Sequence, residues 1–281
     1  MRKRFSVILT VLVLFLHSAA LAGDGFVFLA STIGPIDSGI VALLEDEFEK
    51  ETGIRVRHVG AGTGAALKIS QKGQVDLVMV HAKSLEEKFV QEGYGTERIP
   101  LMYNDFVIVG PKTDPAGIKG MTSAKAALQA MAAKSGPFVS RGDKSGTHVA
   151  EMELWKKAGI NPSGAWYRVY EKGSEGNVAT LRYTDSVGAY TFIDRATYLS
   201  LKDQIKLTIL VEGDEDLLNF ISLIPVNPVK FPTVNAGGAR IFISWLTAPD
   251  KGQRIIRDFG KDRYGSPLFF PNSEAWRKKN P

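Results

Sequence analysis

Residues 26–64 read FVFLASTIGPIDSGIVALLEDEFEKETGIRVRHVGAGTG, in which strand and helix patterns alternate. The apolar run at 26–30 is typical of a buried strand, and a polar loop follows it. A second strand pattern at 54–59 leads into a glycine-rich loop. Between the two strands, apolar side chains recur at the spacing of one helical face, at Ile40, Leu43, Leu44 and Phe48. This order predicts a βαβ unit of an α/β domain.

The same rhythm continues downstream, with a helix from about Gly64 and strand patterns at 75–80 and 104–110. A βαβαβ order of this kind predicts a largely parallel sheet. Near the end of the chain, the spacing of apolar residues predicts one helix over 239–259. Because no long Gly- or Ser-rich linker divides the chain, we expect two lobes joined by short strands rather than two separate domains.

The first 22 residues have the pattern of a cleavable secretory signal peptide. Arg2, Lys3 and Arg4 form a basic start, residues 5–16 are almost entirely apolar, and small residues stand at Ala20 and Ala22. The apolar run is shorter than the roughly 20 residues of a membrane-spanning helix. The sequence therefore predicts a secreted protein.

Composition excludes several classes of protein. The 281 residues contain no Cys, which excludes a disulfide scaffold, a thiolate nucleophile and a Cys-ligated metal centre. The net charge of +5 falls to +2 without the three cations of the signal segment. With no basic stripe interleaved with aromatic residues, nucleic acid is not expected as a partner.

Three polar loops each follow a predicted strand and precede a predicted helix, at 31–39, 60–64 and 140–147. Glycine allows a close backbone approach, and the free N–H groups of a helix start attract anions. Ser and Thr hydroxyls add neutral donors, and Arg141 adds a fixed positive fork suited to an oxyanion. Each loop alone also fits a local role, with Asp37 and Ser38 as helix caps, Gly62 and Gly64 as turn residues, and Arg141 on the surface.

The spacing of Gly, His and Ser residues in this chain does not match known nucleotide-binding or enzyme motifs. The loop at 60–64 is G-x-G-x-G rather than G-x-G-x-x-G, and no P-loop lysine follows it. No two histidines have metal-ligand spacing, and Ser145 does not lie in a G-x-S-x-G elbow. We therefore predict no catalytic residue, no protein-bound metal and no cofactor. One alternative stays open: a periplasmic enzyme acting on oxyanion esters, with Ser145 or Thr147 as nucleophile and His148 as base.

Several segments together carry a family resemblance. They are GAGTGAAL at 60–67, YNDFVIVGP at 103–111, SRGDKSGTH at 140–148, IPVNP at 224–228 and YGSPLF at 264–269. On these segments the chain resembles the periplasmic tungstate-binding proteins of tungstate ABC importers, which have the type II periplasmic binding protein fold.

The resemblance implies an α/β fold of two lobes joined by short crossover strands, with the ligand cleft between them. Lobe 1 is expected to comprise residues 23–108 and 206–281, and lobe 2 residues 109–205. The implied function is capture of a tetrahedral oxyanion, tungstate or alternatively molybdate, by a monomer that serves an inner-membrane ABC permease. The implied ligand-binding residues are Ser31, Thr32, Gly64, Arg141 and Thr147, with Ser145 as an additional donor.

The first loop departs from the family pattern. Where the family has Thr-Thr-Thr-Ser, this chain has Ser31, Thr32, Ile33 and Gly34, so two hydroxyls are replaced. A hydrogen bond to a charged group contributes about 1.5–3 kcal/mol, so a changed affinity or a changed anion is expected. A further alternative is therefore a scaffold that has lost or changed its ligand. Asp143 is the acid nearest Arg141, either as an acceptor for the proton of hydrogen phosphate or as a helix cap.

Overall fold

The computed structural model describes residues 26–281, so the predicted signal peptide lies outside the described residues. Ten strands occur in this part of the chain: β1 (Phe26–Ser31), β2 (Arg55–Gly60), β3 (Leu77–Val80), β4 (Ile99–Gly110), β5 (Phe138–Ser140), β6 (Tyr167–Val169), β7 (Thr191–Asp194), β8 (Thr208–Val211), β9 (Leu218–Pro225) and β10 (Phe270–Pro271).

Helices connect and cover these strands. They are α1 (Ile33–Ser38), α2 (Ile40–Thr52), α3 (Thr63–Ser70), α4 (Lys83–Gln91), α5 (Ala124–Ala133), α6 (Gly146–Lys157), α7 (Asn177–Val187), α8 (Arg195–Leu201), α9 (Ala236–Thr247), α10 (Gly252–Asp258), α11 (Lys261–Tyr264) and α12 (Glu274–Lys279). Short 3-10 turns lie at Gly173–Glu175 and Glu215–Leu217. Within residues 26–281, no helix has both the length and the apolar character needed to cross a membrane.

The main sheet has the strand order β10-β4-β9-β3-β1-β2. The predicted parallel arrangement is confirmed for β1, β2 and β3. It is wrong for the rest of this sheet, because β9 runs antiparallel to β3 and β4, and β10 runs antiparallel to β4. The physical reason is the path of the chain: β9 returns from the second lobe and so enters the sheet in the opposite direction.

Strand β4 belongs to both lobes. Its first half, up to Asp105, pairs with β9 in the main sheet, whereas Phe106 to Val109 pair with β7. The end of β4 also pairs with β8. The sheet of lobe 2 is therefore formed by the second half of β4 with β7 and β8, and the chain returns to lobe 1 through β9.

Each lobe has apolar layers on both faces of its sheet, because strand side chains alternate in direction. In lobe 1, Leu77 and Met79 of β3 face one buried cluster and Val78 and Val80 face another. In lobe 2, Phe106 and Ile108 of β4 face one cluster, while Val107 and Val109 face the other. Helices on both sides of a sheet leave the strand ends as the open edge where ligands bind.

The predicted helix 239–259 is two helices, α9 and α10. Pro249 lies between them, and proline removes a helical hydrogen bond and clashes with the preceding turn. The buried Gln253 then ties α10 to the rest of lobe 1, since its Nε2 donates to the carbonyls of Leu101 and Leu246.

Candidate functional site

The loops after β1, β2 and β3 meet at one edge of the lobe 1 sheet. Ser31 and Gly60, the last residues of β1 and β2, are direct neighbours in the parallel register. The N–H of Ala61 donates to the carbonyl of Ser31 at 3.0 Å, and the N–H of Thr32 donates to that of Met79 at 3.1 Å. Two of the three predicted loops are therefore fixed side by side by backbone hydrogen bonds.

This edge presents two buried hydroxyls that have no protein partner. Thr32 precedes α1 in the N-cap position, yet its hydroxyl makes no capping bond and the residue is 2% exposed. Thr63, which begins α3, is 7% exposed, and its hydroxyl is also without a partner. Leaving a buried polar group unpaired costs about 1–3 kcal/mol, so such groups point to a missing ligand or water.

Ser31 and Gly64 have different environments. Ser31 is fully buried, and its hydroxyl lies 3.3 Å from the carbonyl oxygen of Thr32. Gly64 is the second residue of α3, where backbone N–H groups have no helical partner. A methyl group added at Gly64 would meet no atom within 4 Å, so open space lies in front of it.

Arg141, in the loop between β5 and α6, is largely buried, with 11% of its side chain exposed, rather than lying on the surface. Its Nη2 donates to Asp143 Oδ2 at 2.5 Å, and its Nη1 donates to Asn177 Oδ1. Its Nε is buried and has no partner. Two of the guanidinium nitrogens are thus held by the protein, while the third has no hydrogen-bond partner.

The Arg141 loop has a fixed conformation. Gly142 has a φ of 65°, and a Cβ there would lie 2.2 Å from Val169 Cγ1, so only glycine fits. Ser145 is the N-cap of α6, with its hydroxyl accepting from the N–H of His148 at 3.4 Å. The N–H of Ser145 donates to Asp143 Oδ1 at 3.1 Å. Ser145 therefore has a local structural role.

The pKa values of the loop fit this arrangement. Burial alone would raise the pKa of Asp143, but hydrogen bonds from Ser145 and the charge of Arg141 outweigh it and lower that pKa. Burial lowers the pKa of His148, and Arg141 and Lys144 add to that effect. His148 Nδ1 accepts from the N–H of Lys144 at 2.9 Å, so the ring caps the loop rather than serving Ser145 as a base.

Asn177 joins this site although the sequence did not single it out. The parallel pairing of β5 and β6 brings the segment after β6 beside the Arg141 loop. Asn177, the first residue of α7, donates from Nδ2 to Thr147 Oγ1 at 3.1 Å and to Asp194 Oδ2 at 2.6 Å. The available signal was the loop 171–176, which also follows a strand and precedes a helix.

Gly173 and Glu151 contact the Arg141 loop and the strand end that precedes it, at Arg141 and Ser140. A Cβ at Gly173 would lie 1.9 Å from the carbonyl oxygen of Arg141, so the two backbones are in direct contact. The buried Glu151 accepts hydrogen bonds from Ser140, Trp155 and Tyr167. Burial raises the pKa of Glu151 to about 7, although these three donors act in the opposite direction.

The two lobes touch beside the site. A methyl on Gly146 would lie 2.3 Å from Cε1 of His81, so the imidazole, which follows β3 of lobe 1, packs on the start of α6 in lobe 2. Burial lowers the pKa of His81. A cleft of about 1210 Å³ adjoins this contact, and its lining includes Thr63, Gly64, His81 and Gly146.

Each of the three loops contains a buried donor without a partner, and these loops come from both lobes. In residues 26–281, four buried side-chain nitrogen or oxygen atoms lack a hydrogen-bond partner, and three of them are Thr32 Oγ1, Thr63 Oγ1 and Arg141 Nε. The same part of the chain contains no group of three His, Cys, Asp or Glu residues that could hold a metal ion. Buried groups that can donate a hydrogen bond and have no partner are chemically suited to an anion.

Comparison with known proteins agrees with this architecture. Residues 18–250 match the model of the PBP superfamily domain. The chain belongs to the PBP superfamily. The tungstate-binding protein TupA of Peptoclostridium acidaminophilum is 43% identical over 251 residues, covering 89% of this chain and 86% of that protein, which places the chain in the same family.

Two further members of the superfamily extend the comparison. The putative ABC transporter anion-binding protein of Haloferax volcanii is 44% identical over 260 residues, covering 90% of this chain and 74% of that protein. The solved structure of the tungstate-binding protein TupA from Desulfovibrio alaskensis G20 aligns with a TM-score of 0.80 at 43% identity, covering 89% of this chain and all of that chain. These relatives are transport binding proteins.

Proposed function

We propose that this protein captures a tetrahedral oxyanion, tungstate or molybdate, between its two lobes and delivers it to an ABC permease. The observation that carries the proposal is the set of three unpartnered buried donors, Thr32 Oγ1, Thr63 Oγ1 and Arg141 Nε, in loops from both lobes. An anion that bonded to all three would satisfy each of them. Its capture would also favour the closed arrangement of the lobes, because only that arrangement presents both sets of donors.

The charge of the site supports a fully deprotonated anion. Arg141 supplies the positive charge, and Asp143 is already engaged by Arg141 and by the N–H of Ser145. Both oxygens of Asp143 therefore already accept a hydrogen bond, which leaves less capacity to accept from the proton of hydrogen phosphate. Tungstate, molybdate and sulfate carry no proton near neutral pH, so they suit a site made of donors.

The remaining parts of the proposal follow from the family. Tungstate is the ligand named for the TupA relatives, and an ABC permease is the partner of a transport binding protein. We propose that the mature protein is a periplasmic monomer without enzymatic activity and without a cofactor. We also propose a lobe 2 that ends near Leu218 rather than at residue 205, because β8 pairs with the lobe 2 half of β4.

Binding calorimetry on the signal-less protein tests this proposal. Tungstate, molybdate, sulfate and hydrogen phosphate are titrated separately under the same conditions. We expect tungstate or molybdate to bind most tightly and hydrogen phosphate to bind at least 100-fold more weakly. A ligand present at about 1,000 times its Kd should also stabilise the fold by roughly 4 kcal/mol.

The other outcomes separate the alternatives. Preference for sulfate would keep oxyanion capture and assign a change of specificity to Ile33 and Gly34, which replace two hydroxyls of the family pattern. No binding of any of the four anions would contradict the proposal and favour a scaffold that has lost its ligand. Turnover of phosphate or sulfate esters would favour the enzyme.

A further inference from the structure

The Asn177 side chain contacts three different segments of the lobe 2 half of the proposed site. Its Oδ1 accepts from Arg141, and its Nδ2 donates to Thr147 and to Asp194. These three partners come from the loop before α6, from α6 itself and from the end of β7. A single amide group therefore fixes the relative positions of a charged donor, a hydroxyl and a carboxylate.

The orientation of this amide is determined by its neighbours. A guanidinium can only donate and a carboxylate can only accept, so Oδ1 must face Arg141 and Nδ2 must face Asp194. Asp194 is held in turn by Thr197, whose N–H and hydroxyl donate to its two oxygens at 2.8 Å and 2.6 Å. The amide cannot flip without breaking two charge-assisted hydrogen bonds.

This orientation decides the direction of the Thr147 hydroxyl. Because Thr147 Oγ1 already accepts from Asn177 Nδ2, the hydroxyl has its own proton left to donate. Thr147 is 7% exposed and lies next to Gly146, which touches His81 of lobe 1. The hydroxyl proton is therefore available beside the lobe contact, where the proposed anion is enclosed.

We propose that Asn177 is a positioning residue that determines which groups of the site donate hydrogen bonds to the anion. It makes the Thr147 hydroxyl a donor, holds Arg141 so that Nε stays available, and keeps the carboxylate of Asp194 occupied. Every oxygen of the two carboxylates bonded to this network, Asp143 and Asp194, already accepts at least one hydrogen bond, so a protonated oxyanion would compete with these donors for an acceptor. This inference rests on the proposed function and names what selects a fully deprotonated anion.

The decisive substitution is Asn177→Asp, which keeps the shape and replaces the donor Nδ2 with an acceptor. The Thr147 hydroxyl is then expected to donate to the new carboxylate instead of to the anion. We expect tungstate affinity to fall at least 100-fold near neutral pH, with a much smaller loss for hydrogen phosphate, so that the ratio of the two affinities decreases. Asn161→Asp, which adds the same charge at an exposed position of lobe 2, is the matched control and should change neither affinity more than twofold.

A double-mutant cycle with Thr147→Val tests the mechanism. In the parent protein, loss of the hydroxyl is expected to weaken tungstate binding at least tenfold. In the Asn177→Asp background it should weaken binding less than twofold, because the hydroxyl no longer faces the anion. Thermal unfolding of each ligand-free variant shows that it is folded, and Asn177→Ser, which keeps a small polar group, replaces Asn177→Asp in the cycle if that variant does not fold.

Two results would overturn this inference. One is equal loss from Thr147→Val in both backgrounds, which would mean that Asn177 acts independently of Thr147. The other is an Asn177→Asp protein that binds tungstate as tightly as the Asn161→Asp control. Failure of the parent protein to bind any of the four anions would instead count against the proposed function, so the two failures are distinguishable.

Discussion

Lobe 1 contributes to the site two neutral hydroxyls, those of Thr32 and Thr63, which are buried and have no protein partner. Lobe 2 contributes a charged group, Arg141, which is held through two of its three nitrogens by Asp143 and Asn177. The two lobe 1 hydroxyls therefore have no hydrogen bond to the protein, whereas Arg141 of lobe 2 lacks one only at Nε. We infer from this difference that, in the proposed site, lobe 2 supplies the charge and the fixed geometry, and lobe 1 completes the enclosure when the lobes close.

The largest effect is expected from Arg141→Ala. The substitution removes the positive charge and leaves the Asp143 carboxylate without its partner, so the site would repel a dianion. We expect tungstate affinity to fall more than 100-fold by calorimetry, since a hydrogen bond to a charged group alone contributes about 1.5–3 kcal/mol. Arg141→Lys keeps the charge but not the planar fork and should show an intermediate loss. Unchanged affinity in Arg141→Ala would contradict the assignment of charge to lobe 2.

Thr32→Val and Thr63→Val should each stabilise the ligand-free protein and weaken anion binding. Each replaces an unpartnered buried hydroxyl with a methyl of similar shape, so the ligand-free protein should be stabilised by up to about 1 kcal/mol. Anion affinity should fall about 10- to 100-fold for each variant, because the anion loses a donor.

Thr191→Val is the matched control for these two variants. Thr191 is equally buried, but its hydroxyl donates to the carbonyl of Val139 at 2.7 Å, so its loss should destabilise the protein and leave affinity unchanged. If Thr32→Val and Thr63→Val instead destabilise the ligand-free protein, as the control does, these hydroxyls are not free in lobe 1.

At the contact between the lobes, His81→Ala should compensate for the loss of anion affinity caused by Gly146→Ala. Gly146→Ala places a methyl where the His81 ring lies, and closure should be hindered, which lowers anion affinity about tenfold. His81→Ala in the same background creates the missing space and should restore most of the affinity. Additive losses in the double variant would mean that the two residues do not meet when the anion is bound.

The smallest effect on binding is expected from Glu151→Gln, which changes the pH dependence of folding. The pKa of Glu151 is raised to about 7 by burial, above the unfolded value of 4.5. Its contribution to stability is therefore fully present below pH 4.5 and is lost as pH rises through 7. Denaturant unfolding should show that the parent loses on the order of 2–3 kcal/mol across this range relative to Glu151→Gln. Identical pH profiles for the two proteins would contradict the raised pKa.

The sequence predicted the three loops at strand ends because glycines, hydroxyls and Arg141 are local signals. It also predicted the βαβ unit at 26–64, which contains β1 and β2. It did not predict the antiparallel β9, because the direction of a strand depends on where the chain re-enters the sheet. Nor did it predict Asn177, whose role arises from three partners that are 17 to 36 residues away along the chain.

A crystal structure of the protein with bound tungstate, located by the anomalous scattering of tungsten, tests the central claim most directly. We expect one tungsten site between the lobes, with anion oxygens within hydrogen-bond distance of Thr32 Oγ1, Thr63 Oγ1 and Arg141 Nε. We also expect Arg141 to keep its bonds to Asp143 and Asn177. A tungsten site elsewhere, or one that leaves these three donors unpartnered, would contradict it.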